Sequence, residues 1–117
     1  MKQKFEIILL EEVWELLLEL DEKIKDKILY NLDKSKSIID LKLFKKLDSD
    51  IWEFRTKYRR LHYRLLSFWD KSDNSKTLVV STHGIIKKTD KVPKSEIEKA
   101  RKIMEKYFEQ KTKKKKL

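Results

Sequence analysis

The chain has 117 residues, of which 39% are hydrophobic and 43% charged, so it predicts one small domain with a single core and a densely charged surface. The net charge is +10 and is unevenly spread: residues 1–50 carry 10 basic and 12 acidic side chains, whereas residues 51–117 carry 20 and 8. The chain contains no cysteine, which excludes disulfides, thiolate catalysis and a cysteine-based zinc site.

A strongly basic half is typical of proteins that bind a polyanion such as nucleic acid. The apolar N-terminal stretch is interrupted by four glutamates between positions 11 and 19, and no run approaches the roughly 20 apolar residues that span a bilayer. Two isolated histidines cannot form a zinc site alone. We therefore expect a soluble cytoplasmic protein with no membrane partner, no metal and no cofactor.

The N-terminal half predicts one strand and two helices. Residues 4–9 have a strand-like composition, and apolar residues recur with helical spacing over 10–20. Asp21 is placed to cap a second helix, which runs to about Ser35. Residues 36–50 show no clear period and are predicted as a loop with one short turn at most.

The C-terminal half predicts three strands that form an antiparallel meander. Strands are expected over 51–57, 61–69 and 77–86, because polar and apolar residues alternate in the first two and β-branched residues are concentrated in the third. Arg59-Arg60 is a predicted turn although it lacks the usual hairpin dipeptide. The polar stretch 70–76 is the second predicted turn.

A helix is predicted from Pro93 to about Gln110, with the proline at the first helical position, where its missing N–H costs nothing. The lysine-rich tail 111–117 has no periodicity and is predicted to be disordered, which leaves a single domain over 1–110. The element order is then β-α-α-β-β-β-α. This order predicts an α+β fold with a mainly antiparallel sheet and the helices on one face, the polar strand side chains occupying the other.

Four motifs resemble those of the HigB-like branch of the RelE/ParE toxin superfamily. They are Trp-Glu-x-Arg at 52–55, Tyr-Arg at 63–64, His-Gly-x-x-Lys-Lys at 83–88, and a proline-initiated helix over 93–100. Val92 stands where the family usually has a capping threonine. The resemblance implies a compact RelE-like fold and the toxin of a type II toxin–antitoxin system. Such a toxin cuts mRNA on the ribosome without a metal and is neutralised by a small antitoxin, often one with a helix-turn-helix domain.

Metal-free RNA cleavage, which the resemblance implies, indicates which residues could form the site. The 2′-OH of the RNA attacks the neighbouring phosphorus, so the protein must stabilise charge on the phosphorane and move protons. Arg64 is the candidate for binding the scissile phosphate, and Arg55 is the candidate for a second contact. Lys87, Lys88 and His83 are candidates for charge stabilisation and proton transfer. The predicted contacts to the RNA backbone are Lys57, Arg59 and Arg60.

Some interpretations stay open at this point. Gly84, inside the third strand of the meander, predicts a bulge or a close backbone approach that ends regular pairing and redirects the two lysines. His62 is interpreted as a packed or surface residue, and His83 is equally compatible with a structural role. The chain could also be a ParE-type inhibitor of DNA gyrase or a non-enzymatic RNA-binding module. Convergence of Arg55, Arg64 and a lysine on one face would favour the nuclease over the ParE-type function.

Overall fold

The structure is a computed structural model that describes residues 4–115. Three helices pack on a mixed sheet of five strands, in the chain order β1 (Glu6–Leu9), α1 (Glu11–Glu19), α2 (Glu22–Ser35), β2 (Phe44–Lys46), β3 (Trp52–Tyr58), β4 (Leu61–Asp70), β5 (Leu78–Lys87) and α3 (Lys94–Lys115). The strand order across the sheet is β1-β5-β4-β3-β2. The α+β class is confirmed, and each predicted strand and helix is present.

The predicted meander is confirmed: β3 pairs with β4 and β4 with β5, both antiparallel. The β3–β4 turn at Arg59-Arg60 is confirmed as well. Both residues have positive φ, 47° and 70°, which is the backbone conformation of the two-residue hairpin turns that match the twist of the strands. β1 pairs with the far side of β5 and runs parallel to it. This parallel pair makes the sheet mixed.

Strand β2 was not predicted, since residues 36–50 were expected to form a loop. Phe44 is buried and stacks on Phe54 of β3 at a centroid distance of 4.4 Å, whereas Lys45 and Lys46 are exposed. One buried aromatic residue in a three-residue strand is too short a pattern to show an alternation. At the start of α2, Asp21 occupies the predicted cap position, but its backbone carbonyl and not its side chain accepts the bonds.

The prediction that all helices lie on one face is wrong. Helices α1 and α2 pack on the face that carries Phe54 and Leu65, whereas α3 packs on the opposite face, against Leu66 and Phe68. The reason is that β4 is buried on both sides over most of its length, so each face of the sheet needs its own cover. No helix in the described part of the chain is long and apolar enough to cross a membrane.

A β-bulge in β5 changes which side chains face α3. Leu66 pairs with His83 and Ser67 with Ser81, so Thr82 is an extra residue on β5. The predicted close approach at Gly84 is confirmed, because a Cβ there would overlap the side chain of Leu16 in α1. The prediction that Gly84 ends regular pairing is wrong, since the ladder continues to the end of β5.

Helix α3 continues to Lys115, so the prediction of a disordered tail is wrong for 111–115. Residues 116–117 of that tail lie outside the described part of the chain. Tyr107 Oη and Lys111 Nζ both donate to the buried Asp70 carboxylate, at 2.6 and 2.7 Å. Burial alone would raise the pKa of Asp70, but these bonds and two from Ser72 outweigh it and lower the pKa. The C-terminal half of α3 is thereby attached to the end of β4.

Candidate functional site

A cleft of about 220 Å³ lies on the α3 face of the sheet. Its position follows from strand alternation and register: Arg55 of β3 lies opposite Arg64 of β4, so the two side chains project from the same face. The next residues on this face, toward the turn between β3 and β4, are Lys57, His62 and Lys87, which lie side by side across β3, β4 and β5. The residues lining the cleft are Lys42, Arg55, Thr56, Lys57, His62, Tyr63 and Arg64.

Arg64 forms the floor of the cleft and is only 1% exposed. Its Nη1 donates to Glu53 Oε1 at 2.6 Å. Its Nη2 donates to the backbone carbonyl of Asp90 at 2.9 Å and also contacts the Asp90 carboxylate. Its Nε is buried and has no hydrogen-bond partner among the described residues. The guanidinium is therefore rigidly held and has one donor unused.

Arg55 contacts the same two acidic residues from the neighbouring strand. Its Nη2 donates to Asp90 Oδ1 at 2.9 Å, and its Nε lies 3.7 Å from Glu53 Oε2. Its Nη1 donates to the carbonyl of Leu41 at 3.2 Å, which ties the cleft to the segment before β2. Both predicted phosphate-binding arginines thus converge at one place.

The two carboxylates of this network differ in their surroundings. Glu53 lies in β3 and is buried, so it is a fixed counter-ion beneath both guanidinium groups. Asp90 lies in the loop between β5 and α3, and its side chain is 72% exposed. The hydrogen bond from Arg64, together with the charges of Arg64 and Arg55, lowers the pKa of Asp90. Asp90 is therefore ionised at neutral pH.

The predicted lysines and hairpin arginines surround this network. Lys87 is half-buried at the end of β5 on the same face as Arg64, whereas Lys88 is exposed just beyond the strand. Only Lys87 therefore projects from the sheet on the cleft face; strand alternation predicted that the two lysines could not both do so. Arg59 and Arg60 are exposed in the turn that follows Lys57, and the Arg59 guanidinium lies 5.2 Å from the centroid of the Tyr58 ring.

His83 does not join the cleft. The bulge places it beneath the first turn of α3, where Nε2 is 3.1 Å from Glu96 Oε1 and Nδ1 is 2.9 Å from Thr82 Oγ1. The imidazole is 1% exposed, and burial is the largest of the effects that lower its pKa. Both ring nitrogens are occupied, so these contacts fit the structural interpretation and join β5 to α3.

We expect the free energy of unfolding to fall as the pH falls below about 6.5, the pKa of an unperturbed histidine. Below this pH, His83 takes up a proton in the unfolded chain, whereas in the folded protein its lowered pKa keeps it neutral. The contribution of His83 to the free energy of unfolding is therefore complete above about pH 6.5 and is lost as the pH falls below it. Urea unfolding between pH 7.5 and 5.5 measures the slope. His83→Gln should flatten it, and His62→Gln is the matched control. A slope that survives His83→Gln would contradict the assignment.

Sequence reasoning did not assign Glu53 and Asp90, which contact the two arginines, or His62, which lines the cleft. Glu53 shares a strand face with Arg55, two residues away, and this spacing could have indicated an ion pair. His62 was interpreted as a packed or surface residue without a role in the chemistry, and it lines the cleft between Lys57 and Lys87. Asp90 follows the strand in a loop, and no pattern in the sequence indicates that its carboxylate reaches back to β3 and β4.

The fold and the cleft define a small α+β protein with paired arginines on one face of its sheet. A family model described as "Phage derived protein Gp49-like (DUF891)" matches residues 15–105, a span that holds every residue of the cleft. The chain belongs to this Gp49-like family, which is phage-derived and toxin-like. Comparisons with curated proteins and with solved structures give no match.

Proposed function

We propose that the chain is the toxin of a type II toxin–antitoxin system, similar to HigB, and that it acts in the cytoplasm as a metal-independent endonuclease on mRNA bound to the ribosome. Membership of a toxin-like family is compatible with the first part. The observation that carries the second part is the convergence of Arg55 and Arg64 on one carboxylate oxygen of Asp90. Two guanidinium groups that meet at one anionic oxygen are arranged to bind a phosphate.

The reaction that fits this arrangement is transesterification within the RNA. The 2′-oxygen forms a bond to the adjacent phosphorus, the bond from phosphorus to the 5′-oxygen breaks, and the products carry a 2′,3′-cyclic phosphate and a 5′-OH. Extra negative charge develops on the non-bridging oxygens of the phosphorane. Arg64 and Arg55, fixed by Glu53, would stabilise this charge without reorganising during the reaction.

Two protons must move in this reaction, one from the 2′-OH and one to the departing 5′-oxygen. His62 and Lys87 project from adjacent strands on the cleft face and are the next residues on that face beyond the arginine pair. We assign proton transfer to these two residues and not to His83, which is enclosed beneath α3. Lys57, Lys88 and the hairpin arginines would bind the flanking phosphates.

The partners implied by this function are the ribosome with its mRNA and a cognate antitoxin. The cleft and its rim carry mostly basic side chains, so the segment that neutralises the toxin should be acidic where it covers them. A helix-turn-helix antitoxin with such a segment, encoded beside this chain, would fit. Copurification of the neighbouring gene product with this protein tests the pairing directly.

We expect regulated expression of this chain alone to stop growth and translation, because an unneutralised endonuclease destroys mRNA. Growth curves measure the first effect, and mapping of mRNA 5′ ends by primer extension measures the second. New 5′ ends should appear within coding regions shortly after induction. A matched culture that expresses the Arg55→Gln, Arg64→Lys double variant should grow and show no new ends.

The same experiment separates the alternatives. Growth arrest with covalent gyrase–DNA complexes and no new mRNA ends would indicate a ParE-type inhibitor. Arrest without either product would indicate an RNA-binding module that blocks the ribosome. Normal growth at confirmed soluble expression would contradict the toxin assignment itself.

A further inference from the structure

The loop between β5 and α3, residues 88–93, reaches back to the arginine pair of the cleft. We call this segment the Asp90 loop. Its contacts with the arginine pair come from Asp90: the backbone carbonyl accepts from Arg64 Nη2 at 2.9 Å, and the carboxylate contacts both Arg64 and Arg55. Nearer α3, Val92 packs against the core, so any movement of the loop is confined to its first part. The carboxylate thus occupies the position between the two guanidinium groups where a substrate phosphate would have to bind.

The fit of Asp90 to this position is incomplete. Nε and Nη2 form one edge of the Arg64 guanidinium, and Asp90 reaches only the Nη2 end of that edge. Nε points into buried space with no partner among the described residues. A phosphate group has more acceptor oxygens than a carboxylate and can accept from Nε and Nη2 together, as guanidinium–phosphate pairs commonly do. The buried donor is therefore available to an oxyanion that lies along the whole Nε–Nη2 edge, which Asp90 does not do.

The two acidic residues of the network are unequal in how easily they can leave. Glu53 is part of β3 and is enclosed, so it stays with the arginines. Asp90 is exposed in a loop, and it is the only acidic residue in a segment that also carries Lys88 and Lys91. Both lysines are exposed beside Asp90, so a polyanion that displaces the carboxylate can contact them at the same time.

We propose that Asp90 is an internal competitor for the phosphate site, so that RNA binds the arginine pair only when its phosphodiester displaces this carboxylate. The identification of the displacing ligand as RNA rests on the function proposed above, whereas the occupied anion site rests on the contacts themselves. The apparent affinity of such a protein is reduced by the fraction of molecules whose site is open. Removal of the carboxylate should restore that affinity.

The test is binding of a single-stranded oligonucleotide in which every 2′-OH is O-methylated, so that it cannot be cleaved by this reaction. Fluorescence anisotropy at fixed ionic strength gives its affinity for the unmodified protein and for Asp90→Asn. We expect the variant to bind about tenfold more tightly, as it would if about nine in ten molecules had a closed site. The control is Asp48→Asn, which changes the net charge equally and removes one acidic partner of Arg101, an arginine on α3 that lies outside the cleft. It should change the affinity by less than about twofold.

Equal tightening by both variants would mean that only net charge matters, and no tightening by Asp90→Asn would mean that the carboxylate does not compete; either result overturns the proposal. A second measurement needs no variant. Inorganic pyrophosphate added to the unmodified protein should shift the backbone amide NMR signals of the Asp90 loop together with the Arg64 Nε–H signal. Pyrophosphate that binds without shifting the loop signals would also overturn the proposal.

The proposal for Asp90 can fail independently of the endonuclease proposal, because the methylated oligonucleotide measures binding without being cut. Tighter binding by Asp90→Asn with no cleavage of mRNA by either protein would retain the competitor and reject the endonuclease. If the unmodified protein cleaves mRNA but binds the methylated oligonucleotide as tightly as Asp90→Asn does, the endonuclease is retained and the competitor is rejected.

Discussion

Replacement of Arg64 by lysine is expected to reduce RNA cleavage by about 10²–10³-fold, the usual effect of losing one donor to a developing oxyanion. Lysine keeps a positive charge beside the buried Glu53, so the fold should survive. Its single ammonium group cannot bond to Glu53 and to a phosphate at once, as the guanidinium can. Single-turnover cleavage of ribosome-bound mRNA at saturating protein measures the effect.

Arg64→Lys is preferred to Arg64→Ala because alanine would change the stability of the protein and the rate of cleavage together. Alanine would leave Glu53 buried with Arg55 as its nearest cation, 3.7 Å away, and so would destabilise the protein as well as the transition state. The matched control is Arg101→Lys, at an arginine that also bonds to acidic residues but lies on α3. Equal cleavage rates for Arg64→Lys and Arg101→Lys would mean that Arg64 has no role in the chemical step.

The second large effect is expected on stability. Glu53→Gln should lower the free energy of unfolding by about 3 kcal/mol, since removal of one partner from a buried ion pair typically costs about 3–5 kcal/mol. The lower end applies because Arg64 keeps its contact with Asp90. Urea denaturation at pH 7, followed by circular dichroism, measures the difference.

Glu98→Gln is the matched control for this experiment, because Glu98 pairs with an arginine on the exposed surface of α3. Its effect should stay within about 0.5 kcal/mol. If the two variants are equally stable, Glu53 is not an essential counter-ion. A Glu53→Leu, Arg64→Met double variant adds a further comparison: a stable but inactive protein would indicate that the buried charges serve function and not folding.

Much of the fold could be predicted because its strands alternate over seven or more residues. The same alternation predicted that Arg55 and Lys57 share one face of β3, and that His62 and Arg64 share one face of β4. The part of β5 that was not predicted, its bulge, has a local cause. A single extra residue in β5 decides which side chains turn toward α3, and no composition signal marks a bulge at Thr82.

The site was predictable to the extent that it is built from strands. The register brings Arg55 and Arg64 together from periodicity alone, whereas the contribution of Asp90 depends on the path of an irregular loop. His83 was misleading for a related reason: the histidine beside a glycine and two lysines matches the family motif, but the bulge places it under α3. His83 projects from the same face as Lys87, and the motif could not show that α3 covers this part of the face.

The parallel pairing of β1 with β5 has a consequence for how the protein is made. Glu53, Arg55 and Arg64 belong to one hairpin, so a ribosome that has released this hairpin has already supplied the arginine pair. β1 is translated before this hairpin but must wait for β5, because Glu6 pairs with Leu78. Contacts between such distant segments form late in folding. Until β5 has been translated, the edge of β1 and the face of α1 that packs on β5 lack the residues that cover them.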